Sequence, residues 1–228
     1  MIIKNALIYT ENHRFEKKDV RIRNERITEI AENGQFTDPD ENVIDGEGLY
    51  AIPGLVDIHF HGAVGHDFCQ ASKEELLKIA EYEAANGVLA ICPATMSYNE
   101  EILGKVMDKA ADYNEESGAD LVGINMEGPF IDLKKAGAQN PEYIMPADKE
   151  MFLRLQERSG GLIKLVDIAP EEKGAMDFIE QCHEQVKISI AHTCCNYETA
   201  CEALEKGVSM THLYNAMPGI NHRNPGPI

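Results

Sequence analysis

The sequence is poor in positive charge. Its 228 residues contain 21 Lys and Arg against 39 Asp and Glu, which leaves a formal net charge of −18. Such an acidic chain is repelled by nucleic-acid phosphates and by anionic lipid headgroups, so neither nucleic acid nor a membrane is expected as a partner. If the substrate is an anion, local cations must bind it against this overall field.

Long apolar runs and a secretory leader are also missing. No run approaches the roughly 20 apolar residues that a membrane span needs, although 43% hydrophobic content excludes a disordered chain. Residues 1–5 show no basic region that leads into an apolar stretch and a cleavage site. The six cysteines contain no Cys-x-x-Cys pair, which favours reduced thiols over a disulfide framework. These absences predict a cytoplasmic protein.

Residues 1–50 and residues 51–228 differ in their pattern of apolar and polar residues. In the first part, apolar and polar residues alternate on both sides of Asn24 and Glu25, which predicts a β-hairpin. The polar, glycine-containing stretch at residues 33–45 predicts a linker. We therefore expect a small N-terminal β domain at residues 1–50 and a second domain at residues 51–228.

In residues 51–228, apolar strands and amphipathic helices alternate. The predicted strands are residues 52–59, 88–92, 121–126, 162–168, 187–191 and 208–213. Two capping boxes, which begin at Ser72 and Ser97, predict helix starts. This repeated order predicts an α/β fold with parallel strands and outer helices. Polar residues at the strand ends favour a (β/α)8 TIM-type barrel, of which about six units are expected here, because a complete barrel takes about 250 residues.

Histidines and one glutamate stand at the ends of four predicted strands. They are His59, His61, Glu127, His192 and His212. Side chains alternate faces along a strand, so His59 and His61 point the same way and can meet one ion. Imidazole and carboxylate ligands suit zinc, iron and related divalent metals, and the residues alone do not distinguish these metals. A single histidine at a strand end is more often structural, but the joint pattern favours a metal site.

Four segments carry a resemblance to a known family. They are residues 53–62 (PGLVDIHFHG), 126–130 (MEGPF) with 135–141 (KAGAQNP), 191–193 (AHT) and 211–218 (THLYNAMP). Through them the chain resembles the N-acetylglucosamine-6-phosphate deacetylases of the metal-dependent amidohydrolase superfamily over its whole length. The MEGPF and HLYNAM blocks are specific to this family, whereas the His-x-His pair marks only the superfamily.

The resemblance implies a role for each matching residue. Glu127, His192 and His212 correspond to the main metal ligands, and His59 and His61 to a second metal position, so two ions bridged by Glu127 are expected. The metals implied are zinc or iron, with manganese and cobalt as further possibilities. The residues implied to hold the sugar are Ala138, Gln139, Asn215 and Ala216. Arg223 corresponds to an arginine that binds the 6-phosphate, often across a homodimer interface.

The implied reaction is the hydrolysis of N-acetyl-D-glucosamine 6-phosphate to D-glucosamine 6-phosphate and acetate by a metal-activated hydroxide, in amino-sugar catabolism. In the family an aspartate near the end of the eighth strand protonates the leaving amine. The corresponding motif would lie after Ile228, so we expect a chain truncated at its C-terminus, with the catalytic aspartate outside it. The family also implies that residues 1–50 form part of a small β-sandwich.

Two alternative functions stay open. Another amidohydrolase, which acts on cyclic amides or dipeptides, would bridge two metals with a carbamylated lysine on the fourth strand, where Lys164 is the candidate. A non-catalytic fragment that binds metal or phosphosugar would retain the ligands without the acid.

Overall fold

The chain folds into two units, Met1–Gly54 and Leu55–Ile228, which differ in their secondary structure. The computed structural model describes residues 1–37, 42–115 and 117–228. Within these residues, none of the helices has the length and apolar character that crossing a membrane requires.

The first unit contains a five-stranded sheet. Its strands are β1 (Ile2–Tyr9), β2 (Phe15–Arg23), β3 (Arg26–Glu32), β4 (Val43–Asp45) and β5 (Tyr50–Ala51). β2 and β3 form the predicted hairpin, in which Asn24 and Glu25 have φ angles of 48° and 61°. Positive φ at both central residues is what a tight two-residue hairpin turn requires. β1 pairs antiparallel with β2 and parallel with β4 and β5.

The linker predicted at residues 33–45 is wrong at its end. Val43–Asp45 form β4, and the Ile2 N–H donates to the Asn42 carbonyl at 2.7 Å just before it. This strand forms although only two of its residues, Val43 and Ile44, are apolar. The edge of β1 offers unpaired main-chain N–H and carbonyl groups, and β4 binds to them. Residues 38–41 of the predicted linker lie outside the described residues.

The second unit alternates strands and helices, as the sequence predicts for an α/β fold. Its strands are β6 (Leu55–Asp57), β7 (Gly62–Ala63), β8 (His66–Asp67), β9 (Val88–Ile91), β10 (Asp120–Leu121), β11 (Ile124–Glu127), β12 (Ile163–Ile168), β13 (Lys187–Ile190) and β14 (Ser209–Met210). Its α-helices are α1 (Lys73–Ala85), α2 (Glu100–Ala111), α3 (Lys149–Arg158), α4 (Ala175–Cys182) and α5 (Tyr197–Glu205), and two 3-10 helices cover Leu133–Lys135 and Pro141–Tyr143.

The parallel strands of this unit form two sheets. One has the order β10-β9-β6, and the other has the order β11-β12-β13-β14. A single bridge between Ala94 and Asn125 links them. A separate antiparallel pair, β7 and β8, follows β6. Because the long strands are parallel, their C-terminal ends lie on the same side of each sheet.

Alternation along these strands separates a core from a polar face. In β11, Ile124 and Met126 belong to the hydrophobic core, whereas Asn125 and Glu127 alternate with them. The same core contains Val166 of β12 and residues of the helices. Its fully buried helical members include Leu76, Leu103, Phe152 and Phe178. The packed core therefore holds the strands from one face and directs their polar residues to the other.

The first predicted strand, residues 52–59, is shorter and less buried than expected. β6 covers only Leu55–Asp57, and the side chains of Leu55, Val56 and Ile58 are 52%, 58% and 56% exposed. Within the part of the chain that the structure describes, β6 has a neighbouring strand on one side only. Its apolar side chains consequently lack the cover that a buried strand receives from neighbours on both sides.

The third predicted strand, residues 121–126, is two short strands. β10 pairs with β9, whereas β11 pairs with β12, so the chain changes sheets at Val122 and Gly123. The Lys164 side chain crosses close to Gly123, where an added Cβ would lie 2.5 Å from its Cγ. A residue without a side chain is therefore needed where the chain changes partner.

The two predicted capping boxes have different outcomes. Ser72 caps α1 and exchanges both expected hydrogen bonds with Glu75. The prediction for Ser97 is wrong, because the cap of α2 is Asn99, whose side chain accepts from the Ile102 N–H. Ser97 is buried, and its main-chain N–H donates to the Gln139 side chain. The sixth predicted strand, residues 208–213, is also shorter, since only Ser209–Met210 pair with β13.

Candidate metal centre

The five predicted ligands meet at the C-terminal ends of the parallel strands. His59 and His61 follow β6, Glu127 ends β11, His192 follows β13 and His212 follows β14. We call this group the histidine cluster. His59 and His61 follow the same strand, and each of the other three residues belongs to a different strand–helix unit. Residues far apart in sequence therefore meet at one end of the second unit.

Glu127 is the centre of the histidine cluster. Its carboxylate is only 2% exposed, and both of its oxygens face imidazole nitrogens. Oε1 lies 3.0 Å from Nε2 of His192, 3.2 Å from Nε2 of His212 and 3.6 Å from Nε2 of His59. Oε2 lies 3.0 Å from Nε2 of His61. One buried carboxylate is thus surrounded by four imidazole rings.

Main-chain carbonyls orient three of the four rings. The Nδ1–H groups donate from His192 to Lys135 (2.7 Å), from His212 to Asn215 (3.1 Å) and from His61 to Ala94 (3.3 Å). Nδ1 therefore carries a proton in these three rings, and Nε2 is the atom that faces Glu127. A protonated Nε2 donates to the carboxylate, and a deprotonated Nε2 can ligate a metal. Second-sphere hydrogen bonds of this kind are typical of histidines that ligate metals.

Two of the rings sit on strained backbone. His192 and His212 have φ angles of 46° and 34°, in the left-handed region that residues with a side chain rarely adopt. Such conformations persist where the surrounding structure holds them, and they concentrate at functional sites. Here the strain turns both rings toward Glu127 immediately after their strands end.

Glu127 and the histidines of the cluster shift one another's pKa values. Burial alone would raise the pKa of Glu127, but hydrogen bonds from His192, His212 and His61 lower that pKa far below its usual range. In return, the hydrogen bond to Glu127 raises the pKa of His61 and of His212. His59 differs, because burial lowers its pKa. The carboxylate is therefore held as an anion that demands positive charge beside it.

The donor set fits a divalent metal ion. Glu127 Oε1, His192 Nε2 and His212 Nε2 are separated by 3.0, 3.2 and 3.2 Å. Ligand atoms that lie about 2.0–2.2 Å from one zinc ion, at angles of roughly 90–110°, are themselves about 2.8–3.6 Å apart. His59, Glu127 and His212 also bring one ligand atom each within 4.8 Å of one another. The nitrogens that donate to Glu127 when protonated are therefore spaced so that they can ligate one ion when deprotonated.

A second buried carboxylate lies beside the histidine cluster. Asp167 of β12 is in register with Glu127 of β11 and is fully buried. Its Oδ1 accepts from the Thr211 hydroxyl at 2.6 Å, and that hydroxyl lies 2.7 Å from the Ser189 hydroxyl. Burial raises the pKa of Asp167 to about 7, against the effect of the Thr211 hydrogen bond. We call Asp167, Ser189 and Thr211 the hydroxyl layer.

Known proteins share both the sequence and the fold. N-acetylglucosamine-6-phosphate deacetylase of Bacillus subtilis is 34% identical over all of this chain, and that of Lysinibacillus sphaericus is 31% identical. The chain spans 59% of the length of each. This chain is similar in sequence to the N-acetylglucosamine-6-phosphate deacetylases over its whole length. The resemblance drawn from the sequence motifs is thereby confirmed, although no family model matches the chain.

Solved structures of deacetylases match the chain over nearly its full length. The deacetylase of Mycobacterium smegmatis superposes with a TM-score of 0.88 at 25% identity, covering 100% of this chain and 59% of that one. The deacetylase of Pasteurella multocida gives a TM-score of 0.89 at 25% identity, covering 99% and 60%. A Xaa-Pro dipeptidase, at 12% identity and a TM-score of 0.55, shares the fold alone.

The residues predicted from the deacetylases to hold the sugar lie in different surroundings. Gln139 is buried, and its Nε2 donates to Glu127 Oε2 at 3.1 Å while its Oε1 accepts from the Ser97 N–H at 2.6 Å. Asn215 is exposed, and its carbonyl orients His212. Of the predicted sugar-binding side chains, Gln139 is the one that contacts the histidine cluster directly.

The remaining predicted residues lie on the surface or close a loop. Ala138 is exposed, and Ala216 has a φ angle of 51° and accepts from the Thr193 N–H through its carbonyl. Arg223 is exposed, and its N–H donates to the Asn221 side chain. Among the contacts that the described residues make, none joins the Arg223 guanidinium to the histidine cluster.

Lys164, the candidate carbamylated lysine of the alternative amidohydrolase, points away from the cluster. It stands near the start of β12, is exposed, and donates to the Gly161 carbonyl at 2.7 Å. Asp167, the neighbour of Glu127, is three residues further along the strand, which is roughly 10 Å. Lys164 therefore lies at the wrong end of the strand to bridge ions among the histidines.

Sequence reasoning missed Asp167 and the orienting carbonyl of Lys135. Asp167 could have been predicted from the sequence, because it is the charged residue nearest the end of the apolar run at residues 162–168. A charge in a buried strand is rarely tolerated without a partner. A main-chain carbonyl leaves no trace in the sequence, so the role of Lys135 is visible only in the folded chain.

Proposed function

We propose that this chain is the metal-binding part of an enzyme that hydrolyses N-acetyl-D-glucosamine 6-phosphate to D-glucosamine 6-phosphate and acetate. The observation that carries the proposal is the histidine cluster around Glu127, in a chain homologous to enzymes with that name. The structure of a similar protein with a bound phosphosugar supports the proposed substrate. A variant of the Mycobacterium smegmatis deacetylase, in complex with N-acetyl-D-glucosamine-6-phosphate, superposes with a TM-score of 0.85.

The proposed architecture is a (β/α)8 barrel, of which residues 51–228 supply the first six strand–helix units, with residues 1–50 as part of a small β-sandwich domain. The parallel order of both sheets and the separate unit Met1–Gly54 support it. The proposal includes a cytoplasmic homodimer, in amino-sugar catabolism, without nucleic acid or membrane partners. The acidic net charge of −18 supports the last point.

Glu127, His192 and His212 are proposed to hold one divalent ion, and His59 and His61 to share Glu127 with a second. Zinc or iron suits this imidazole and carboxylate set, and manganese or cobalt would also be accepted. An ion bound there supplies a Lewis acid for the acetyl oxygen and a water whose pKa is lowered toward about 7.

The protein's own groups prepare this chemistry. The carbonyls of Lys135 and Asn215 keep a proton on Nδ1 of His192 and His212, so that Nε2 stays a ligand atom. Gln139 donates to Glu127 Oε2 and restrains that carboxylate on the side away from His192. Since these groups are buried or held by main-chain atoms, they lose little energy in reorganisation when the substrate binds.

Substrate recognition is proposed for Ala138, Gln139, Asn215 and Ala216 around the sugar and for Arg223 at the 6-phosphate. The planar guanidinium fork of Arg223 matches two phosphate oxygens and supplies the local cation that so acidic a chain needs. The proton for the leaving amine is proposed to come from the aspartate predicted after Ile228.

The test is a calorimetric titration of the zinc-loaded protein with N-acetyl-D-glucosamine 6-phosphate and, separately, with N-acetyl-D-glucosamine. We expect the phosphosugar to bind more tightly, because a charge-assisted hydrogen bond contributes about 1.5–3 kcal/mol, or roughly 10–100-fold. Arg223→Ala should abolish that difference, and Arg14→Ala, which removes another exposed arginine, should not.

Acetate release from the same samples tests the rest of the proposal. Turnover by the 228-residue chain should be absent or slow, and rapid turnover would show that a carboxylate within residues 1–228 is the acid. Failure to bind the phosphosugar, together with hydrolysis of a cyclic amide or a dipeptide, would replace the deacetylase with the alternative amidohydrolase.

A further inference from the structure

Asp167 occupies a position that the proposed reaction does not use. It is 0% exposed and lies opposite Glu127 across the β11–β12 pairing. Its Oδ1 is bound by the Thr211 hydroxyl, whereas Oδ2 has no hydrogen-bond partner among the described residues. A buried carboxylate oxygen without a donor costs free energy, so Oδ2 is expected to bind a donor that comes within reach.

The nitrogen that faces Oδ2 belongs to His59. The distance from Asp167 Oδ2 to His59 Nδ1 is 3.8 Å. His59 is also the one ring of the histidine cluster for which the structure shows no main-chain carbonyl accepting from Nδ1, within the residues described. The ring whose Nδ1 has no carbonyl acceptor therefore lies beside the one oxygen of Asp167 that makes no hydrogen bond among the described residues.

Asn125 is the other neighbour of His59 Nδ1, at 3.0 Å from its Nδ2. The same Nδ2 donates to the Ile58 carbonyl at 3.3 Å, which sets the orientation of the amide. If the amide were turned over, its oxygen would oppose the Ile58 oxygen, and both carry lone pairs. Asn125 consequently presents a donor to His59 and cannot accept a proton from Nδ1 in this orientation.

We propose that Asp167 is a positioning residue for the second metal ion. When Nε2 of His59 binds the ion, the ring carries its proton on Nδ1, and Asp167 accepts that Nδ1–H in place of the Asn125 contact, which directs Nε2 to the ion beside Glu127. Closing the 3.8 Å gap to hydrogen-bond distance takes a movement of about 1 Å. The role rests on the proposed function, since it needs an ion next to His59. A carboxylate that binds the outer nitrogen of a ligating histidine fixes its tautomer and raises its basicity.

The test compares zinc binding by the wild-type chain, Asp167→Asn and Asn125→Ala. The ion count is measured by plasma mass spectrometry, and the two affinities are measured by competition with a chelator. In Asp167→Asn the amide oxygen can accept from Thr211, which turns its NH2 toward Nδ1. Two donors would then oppose each other, and the second ion should bind about 10–100-fold more weakly. The first ion, at His192 and His212, should be unaffected.

Asn125→Ala is the matched control. It removes the donor that opposes a proton on Nδ1, so the second ion should bind as tightly as in the wild type or more tightly. A merely structural role for Asp167 would weaken both ions together or neither. Should Asp167→Asn not fold, the zinc-loaded wild-type chain provides a second readout by NMR, in which the Nδ1–H of His59 should exchange slowly with water.

Three results would overturn the role of Asp167 alone. They are two ions bound with unchanged affinity in Asp167→Asn, a larger loss in Asn125→Ala than in Asp167→Asn, and rapid exchange of the His59 Nδ1–H. A wild-type chain that binds one ion only would also exclude it. A wild-type chain that binds no zinc would instead overturn the proposed function, and the role of Asp167 with it.

Discussion

The histidine cluster and the hydroxyl layer are adjacent, and their carboxylates behave in opposite ways. Glu127 and Asp167 face each other across β11 and β12, and both are almost completely buried. Hydrogen bonds from three imidazoles lower the pKa of Glu127 despite its burial, whereas burial raises the pKa of Asp167 to about 7. The hydroxyl of Thr211 does not replace imidazoles, because it brings a dipole and no positive charge.

Burial therefore does not decide what a carboxylate does in this protein. Surrounded by imidazoles, Glu127 is kept as an anion and has two oxygens for cations. Beside hydroxyls, Asp167 satisfies one oxygen and leaves the other facing His59. The difference supports the two proposed roles, metal binding for Glu127 and orientation of a ligand for Asp167. Substitutions in each region test this contrast, and the expected effects are given from the largest to the smallest.

Glu127→Gln should have the largest effect. It removes the anion that all four imidazoles face, so both proposed ions lose a shared ligand. The loss of zinc affinity should exceed the roughly 10–100-fold cost of substituting an outer partner of a ligand. The ion count after gel filtration without chelator measures this.

The matched control is Glu142→Gln, which removes an exposed carboxylate in the 3-10 helix Pro141–Tyr143. It should retain as many ions as the wild type. If Glu127→Gln kept both ions, Glu127 would not be the bridging ligand. The proposed difference in role between Glu127 and Asp167 would then be wrong.

Thr211→Val should have a smaller effect, on stability. It removes the hydroxyl that donates to Asp167 and contacts Ser189, and it leaves buried polar atoms without a partner. The free energy of unfolding should fall by about 1–3 kcal/mol. Urea denaturation of the metal-free protein measures the change.

Thr199→Val, at a half-buried position of α5, is the control. Equal unfolding midpoints for Thr211→Val and the wild type would show that the hydroxyl layer does not hold Asp167.

Glu171→Gln should have the smallest effect, on the pH dependence of stability. Burial raises the pKa of Glu171 from its ordinary 4.5, although the Thr193 hydroxyl and the Cys194 N–H both donate to it. A carboxyl with a raised pKa takes up a proton on folding. Its stabilising contribution is complete below the unfolded pKa and is lost as the pH rises through the folded pKa.

The free energy of unfolding should consequently fall less between pH 4.5 and pH 7 in Glu171→Gln than in the wild type. Urea denaturation at a series of pH values measures this slope, with Glu142→Gln as the control. An identical slope in Glu171→Gln would mean that burial beside neutral donors does not shift a carboxyl here, contrary to the comparison of Glu127 with Asp167.

Much of the site could be predicted because it follows from local rules. The period of two along a strand places His59 and His61 on one side, and short apolar runs that end in polar residues mark the strand ends. The Ser72 capping box is likewise local, since its partners are three residues apart. The cap at Asn99 was not predicted, because Ser97 is recruited by Gln139, 42 residues away.

Strand limits were harder to predict than strand positions. The apolar run at residues 121–126 gives no sign that β10 and β11 pair in different sheets, since pairing depends on β9 and β12. Likewise, the apolar composition of residues 52–59 predicts burial, but the exposure of Leu55 and Val56 depends on whether a second strand flanks β6. Neighbouring strands decide such features.

The amino-acid sequence alone indicates which side chains can bind a metal, since residue type and the two-residue period of a strand are local properties of the chain. It also determined the homology, through blocks such as MEGPF. The orientation of the imidazoles follows from the folded chain, because acceptors for Nδ1 can be distant in sequence, such as the Lys135 carbonyl, 57 residues from His192. The ionisation of Glu127 and Asp167 was decided there too, since a buried charge responds to the few groups packed against it rather than to its neighbours along the chain.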